Sequence, residues 1–490
     1  MRIRNRLHIA VAAVLMAACS SPKDAETVGV DAPVWPDYAG VTVPSSIAPL
    51  DFGIDASCKA ICVDVSDASG NSVMRVRGCR TVRFPLGRWH NMLSNHEGES
   101  LYFRVSSKDE SGWKTYLPFE IQVSPDPIDY GLTYRLIMAG YQSFGHMGIY
   151  ERDLSNFRQR TILDSRMTDD GCVNCHTPSR TDPTNFSLHV RGAHSATLLR
   201  HDGRMECLNT ITDQTGGFFV YPSWHPSGKY VAYSVNKTKI SFYPDTHKKV
   251  EVYDQASDLL VYEPDEHKVL LCDLLKGDKR FETYPAFSAD GGRLFFSVSK
   301  AGNLPSEMAG NQYSICAIDF HASNGTFGSQ IDTLIDGPAL GKSFSTARPS
   351  YDGKYIMLAG TDFGTFPLWH EEADLYLYDL SNGSLRNIEE LNSDRPESFH
   401  NWSSNSSWVV FSSRRDDGLY TRLYISHIDD NGHFSKPFLL PQRNPRRYYD
   451  ALEYSYNIPD FTSSRVPFDV RKARHLLISK DRTDVSVSEH

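Results

Sequence analysis

The residues with the most specific chemistry are Cys172-Val173-Asn174-Cys175-His176. Two cysteines three positions apart can add across the two vinyl groups of haem. The histidine that follows directly can then reach the iron as proximal ligand. The pattern predicts one covalently held haem c, attached through Cys172 and Cys175 with His176 on the metal. A redox disulfide uses only two of the three residues and lacks a βαβ setting. A zinc half-site needs two further ligands, and there is no second CxxC. Candidates for the sixth iron position are His189, His194, His201, Met205 and Met167. Arg191 could bind a haem propionate with its two-pronged guanidinium.

The elements around this motif read as β structure. Aromatic residues make up 12% of the chain, with 33 Gly and 26 Pro, and few long helical patterns. Between 30 and 126, Cys62–Ser66, Val73–Arg77, Leu101–Val105 and Phe119–Val123 alternate with the period of half-buried strands. They predict a small β-sandwich, immunoglobulin-like in its spacing, although no Cys–Trp–Cys signature is present. From 127 to 440 the chain repeats itself. Pro222-Ser223-Trp224-His225-Pro226-Ser227-Gly228, Pro285-Ala286-Phe287-Ser288-Ala289-Asp290-Gly291-Gly292, Pro349-Ser350-Tyr351-Asp352-Gly353 and Asn401-Trp402-Ser403-Ser404-Asn405 each lead through a polar turn into an apolar strand. The equivalent glycines read as Gly228, Gly292 and Gly353, farther apart than the roughly 40–45 residues of a WD40 blade.

These units resemble the TolB-type propellers, and Phe411-Ser412-Ser413-Arg414-Arg415-Asp416-Asp417-Gly418 with Tyr424 matches their blade hairpin. The resemblance implies an all-β chain with a six-bladed propeller. Segments near Tyr134–Met138 and Phe186–Val190 would supply the two blades whose repeat is less clear. It also implies a face for a peptide, glycan or partner lipoprotein. The CxxCH stretch then reads as an insertion at about 164–195, placing the haem on a lobe or loop at the propeller rim. Leu188-His189-Val190-Arg191-Gly192 is similar to a segment following CxxCH in propeller-cytochromes of Bacteroidetes. That resemblance makes His189 the first choice of sixth ligand and His194 the second. Residues 441–490 read as a C-terminal tail.

The chain begins with Arg2, Arg4 and Arg6 and a short apolar run, Ile9 to Ala18, well below the roughly 20 residues of a membrane span. Leu15-Met16-Ala17-Ala18-Cys19 resembles a bacterial lipobox. It implies a signal over 1–18, lipidation of Cys19, a tether over 19–29, and a place in the bacterial envelope, on the outer membrane. Apart from Cys19, Cys172 and Cys175, six of the nine cysteines remain, an even number that permits three disulfides. The formal charge of -9 becomes more negative once the signal arginines are gone, which argues against nucleic acid as a partner. Neither a G-x-S-x-G elbow nor a second histidine beyond His370-Glu371-Glu372 is present, so no catalytic residues are assigned. The expected role is a tethered haem protein that moves or senses electrons, with a redox partner on the propeller. A scaffold with no redox role and a haem peroxidase with an open sixth position are the alternatives.

Overall fold

The computed structural model describes residues 22, 25–54, 58–138, 146–242, 250–479 and 481–488. The signal, the lipobox and Cys19 lie outside the described residues. Among the described residues each repeat forms a sheet of four antiparallel strands, and there are six such sheets, two of them extended by a fifth, parallel strand. Their innermost strands are Tyr454–Thr462 in blade 1, Cys172–Ser179 in blade 2 and Val220–Trp224 in blade 3. Arg280–Phe287, Ser343–Pro349 and Glu397–Trp402 fill the same place in blades 4, 5 and 6. Each inner strand touches the next, and the last touches the first, so the sheets close into a six-bladed β-propeller.

Closure comes from the far end of the chain. Gly131–Met138, Met147–Asp153 and Gln159–Asp164 make three strands of blade 1, and Tyr454–Thr462 adds the innermost one. The segment after 440, read from sequence as a tail, also lends Thr483–Asp484 to blade 2 and Ser486–Ser488 to blade 3. Apolar side chains fill the seams. Ile149, Leu163, Val173 and Val190, for example, form one buried cluster between blades 1 and 2.

One irregularity recurs in all six inner strands. Cys175, Tyr221, Tyr284, Thr346, Phe399 and Ile458 have φ between 42 and 55°, in the left-handed region. The register against the neighbouring strand slips at each of them. These are β-bulges, in which one extra residue re-aims the side chains that follow. The second recurring turn does use glycine. Gly228, Gly291 and Gly353 have φ of 73, 78 and 75°, so the turn glycine of blade 4 is Gly291 rather than the aligned Gly292. A Cβ on Gly291 would lie 2.1 Å from His225 Nε2. Gly291→Ala should therefore cost about 2 kcal/mol or more in denaturant titration, from left-handed strain and the clash together. Gly292→Ala should stay within about 0.5 kcal/mol of the parent.

The N-terminal strands do not form two facing sheets. Glu26–Asp31, Trp113–Leu117, Ser100–Lys108, Ala60–Ser66 and Ser72–Gly78 lie in one sheet, in that order. Phe119–Ser124 and Val41–Pro44 extend the same sheet. Ser100–Lys108 holds two partners along one edge, and Pro118, which cannot donate to a ladder, separates them. The covering layer is the helix Leu86–Ser94, whose Trp89, Met92 and Leu93 are buried, with the short ribbon of Phe52–Gly53 and Thr81–Val82. Trp89 donates Nε1–H to the Ile47 carbonyl at 3.1 Å and packs on Phe84. This unit shares a core with blade 6, where Trp408 donates Nε1–H to the Asp126 carbonyl at 3.2 Å.

Candidate functional site

The CxxCH stretch is not an inserted lobe. Cys172–Ser179 and Asp182–Arg191 are the two innermost strands of blade 2. The alternation that a strand imposes separates the motif's side chains. Val173 points into the seam with blade 1. Cys172 and Asn174 pair with Arg191 and His189 on the other face of the sheet. That face looks toward blade 3, where the His189 ring sits 5.1 Å from Phe218. Cys175 is the bulge residue, and His176 takes the place held by Pro222, Pro285, Ala347, His400 and Pro459 in the other blades.

This placement can be tested against the needs of haem c. His176 is 2% exposed and neither ring nitrogen has a hydrogen-bond partner, which by itself suits an axial ligand. Room is the obstacle. The cavity shared by Cys175, His176, Tyr221, Tyr284, Phe399 and His400 has a volume of about 40 Å³. That is enough for about three waters and far below the roughly 300 Å³ at which cofactor pockets begin. The space beside His176 among the described residues is thus much smaller than a cofactor pocket.

The proposed sixth ligands are held elsewhere. His189 Nδ1 lies 3.2 Å from Thr197 Oγ1, and His194 is at the rim, 2.7 Å from Asp169. His201 stacks on Trp224, Met205 is buried in the blade 1–2 cluster and Met167 packs against that cluster. The eight described cysteines are all unpaired, so none of the permitted disulfides forms among them.

Burial governs the ionisation of the channel. It pushes His176 and His400 down to about 3, with Arg135 reinforcing the first and Arg348 the second. It pushes Asp460 up to about 6, against the pull of Arg348 and the amide of Asn401. Below this layer a second cavity of about 50 Å³ lies among Thr177, Ser223, Arg348 and Asn401. Arg180 borders it and stacks 4.5 Å over the Tyr351 ring, donating to the Tyr351 carbonyl.

The channel mouth is different. Arg135, 8% exposed, reaches from blade 1 to donate Nη1–H to the Asn174 side-chain oxygen, and its Nε has no partner. Arg191, half-buried on blade 2, has no hydrogen-bond partner among the described residues. No carboxylate among them lies within ion-pair distance of either. The Cys175 thiol between them is pushed up by burial, so it supplies no counter-charge. Asp254, pushed up to about 6 by burial, spends its oxygens on Asn236 and Thr238. Arg191 is the propionate candidate of the sequence. Arg135 has a readable sequence signal as well, a charge inside the largely apolar run Leu132–Met138.

The mouth opens on the more elaborate face of the propeller. Connections 210–219, 301–313, 362–373 and 440–453 all emerge there, whereas 180–181, 202–203, 264–267 and 322–325 are the tight turns of the opposite face. From blade 3 the long hairpin of Val231–Phe242 and Val250–Glu263 reaches across blade 4. Its Glu251 comes within 3.5 Å of His370 in blade 5. Near its tip Ile240 and Phe242 are 58% and 63% exposed. Arg415 and Asp416 do structural work at blade 6, pairing with Glu397 at 2.9 Å and Tyr424 at 3.0 Å.

No family model and no curated protein matches the chain. Among solved structures, a puromycin hydrolase is 13% identical with a TM-score of 0.37, over 64% of this chain and 47% of that one. A puromycin-hydrolyzing peptidase of Mycobacterium tuberculosis is 13% identical with a TM-score of 0.35, over 70% and 52%. A DUF4784 family protein from Bacteroides caccae is 8% identical with a TM-score of 0.30, over 74% and 96%. The chain thus spans about half the length of the two hydrolases. At these values the likeness carries no argument, and the closed ring of six sheets is what makes this chain a β-propeller.

Proposed function

We propose that this chain is a propeller-based binding protein that engages a peptide chain end at the channel mouth, without a haem and without a redox role. The observation that carries the reading is the asymmetry of the two faces. The long connections 210–219, 301–313, 362–373 and 440–453 gather around the mouth, the other side carries mainly tight turns together with 428–437 and the segment that leaves Thr462, and the channel narrows beneath to spaces of a few waters. A ligand can therefore be held at the mouth and not threaded through. Loops on a rigid scaffold are where recognition is usually built. Ile240 and Phe242 offer exposed apolar side chains near the tip of the long blade 3 hairpin, which rises on that face. Tethered through Cys19, as the lipobox leads one to expect, the protein would present this face at the envelope.

The test is a selection of random peptides on the immobilised full chain, followed by affinity measurement on variants. Ile240→Ser with Phe242→Ser should weaken the selected peptides by about tenfold or more, as the loss of two apolar anchors implies. Lys354→Glu, on the tight-turn face, should leave them unchanged. Peptides that ignore the first pair and lose affinity to the second would refute the reading. A second measurement addresses the cofactor. Protein made in a host competent in cytochrome c maturation should show no sharp haem α band and no haem mass after denaturation, and either signal would overturn the proposal.

A further inference from the structure

We infer that Arg135 and Arg191 form an oxyanion site at the channel mouth, which takes the terminal carboxylate of the bound chain. The inference deepens the reading above and rests on it for the identity of the ligand, though not for the site itself. The physical argument starts from charge. A guanidinium nine-tenths buried is costly unless it is paired and hydrogen-bonded. Among the described residues Arg135 makes one side-chain hydrogen bond, to a neutral amide oxygen, and its Nε is unpartnered. Arg191 stands on the second strand of the same blade with no hydrogen bond among the described residues. Its Cα partner is Cys172, two residues before the Asn174 that holds Arg135. Two guanidiniums are thus brought toward one place without an acid to neutralise them.

The surroundings fit an incoming anion better than an internal one. Cys172 and Cys175 contribute thiols, and the rings of Tyr221 and Tyr284 meet at a tilt, with centroids 4.4 Å apart, at the edge of the cavity that Cys175 lines. Tyr284 Oη is itself buried and unpartnered. The one acid whose charge bears on Arg191, Asp254, is already committed to Asn236 and Thr238. Arginine forks match carboxylate and phosphate oxygens alike, so the shared chemistry is the oxyanion. A chain end supplies a carboxylate, whereas a free phosphate is the small-molecule source.

The experiment titrates the full chain with acetate and, separately, with inorganic phosphate, each against chloride at matched ionic strength, by calorimetry. Binding of acetate in the parent, weakened about ten- to hundredfold in Arg191→Gln, is the expected result, because one charge-assisted contact is removed. Arg191 makes no bond that the fold depends on, so this variant should fold as the parent does. Arg135→Gln provides a second reading, with its far-UV spectrum checked first. Equal anion affinity in the parent and Arg191→Gln, or none in either, would overturn the inference. So would binding of phosphate alone, since the assigned ligand group is a carboxylate. Selected peptides with amidated C-termini separate this failure from failure of the broader reading. Peptides that still need Ile240 and Phe242 but bind equally when amidated sink the oxyanion site and leave the binding face standing. Acetate binding that depends on Arg191, with no peptide needing that face, does the reverse.

Discussion

A chain ended at residue 453 should lose its cooperative unfolding transition entirely, although it keeps every repeat that the sequence displays. The strand Tyr454–Thr462 is the innermost strand of blade 1 and pairs along Gly131–Met138. Without it, the inner strands of blades 6 and 2 face a gap and Gly131–Met138 becomes an open edge. Its Tyr456 and Phe461 are fully buried, and large aromatics in such places are worth about 3–5 kcal/mol each. Together they approach the roughly 5–15 kcal/mol that holds a whole protein folded. The check is a urea titration followed by circular dichroism and limited proteolysis. A sharp transition in the truncated chain would show that blade 1 closes without its last strand. The single substitutions Tyr456→Ala and Phe461→Ala should each lower stability by about 3–5 kcal/mol. Arg152 guards the same closure. It is 1% exposed and donates to Gln442 Oε1 at 3.0 Å and to the Pro441 carbonyl at 2.6 Å.

Acid should unfold the protein steeply below about pH 4 after a nearly flat stretch above it. His176, His189 and His400 are buried, and burial pushes each of them down to about 3. In the unfolded chain each takes a proton at about 6.5. The unfolded state therefore binds more protons below that value. Each histidine contributes stability that is present above pH 6.5 and falls by about 1.4 kcal/mol per pH unit until its folded value is reached. Buried acids act in the opposite sense. Asp254 and Asp460 are pushed up to about 6, and Asp51 and Glu282 to about 7, all chiefly by burial. They hold protons in the folded state first, so acidification from their folded values toward about pH 4 adds stability and offsets the histidines. Below about pH 4 both states have protonated these acids, and the three histidines together remove about 4 kcal/mol per pH unit. His176→Gln should reduce that slope by about a third. His176 is the useful choice because its ring nitrogens have no hydrogen bond to lose among the described residues, with the buried Asp460 carboxylate 3.9 Å away. An unchanged slope in the variant would mean that His176 is protonated in the folded protein.

Much of the architecture was legible in the sequence because a propeller repeats its physics. A strand end, a polar turn with Gly228 or Gly353, and an apolar strand recur, and their count gives six blades once Tyr134–Met138 and Phe186–Val190 are included. The left-handed turn angle is a local demand that leaves a local mark. The N-terminal strands were legible as strands but not as a sheet. Pairing two partners on one edge of Ser100–Lys108, and covering the sheet with a helix around Trp89, depends on contacts distant in sequence.

The CxxCH motif shows the same division from the other side. The sequence determined which groups stand at Cys172, Cys175 and His176, and what those groups can do on a shared surface. Only the tertiary structure decided that the cavity Cys175 and His176 share is small and that Cys172 is not among its lining residues. A strand turns successive side chains to opposite faces, and a bulge at Cys175 buries His176 in a ring whose other members are mostly proline. The same fold carries Arg135 across from blade 1 to the mouth where Arg191 already stands. No spacing announces that meeting, because it is made by the closure of the ring.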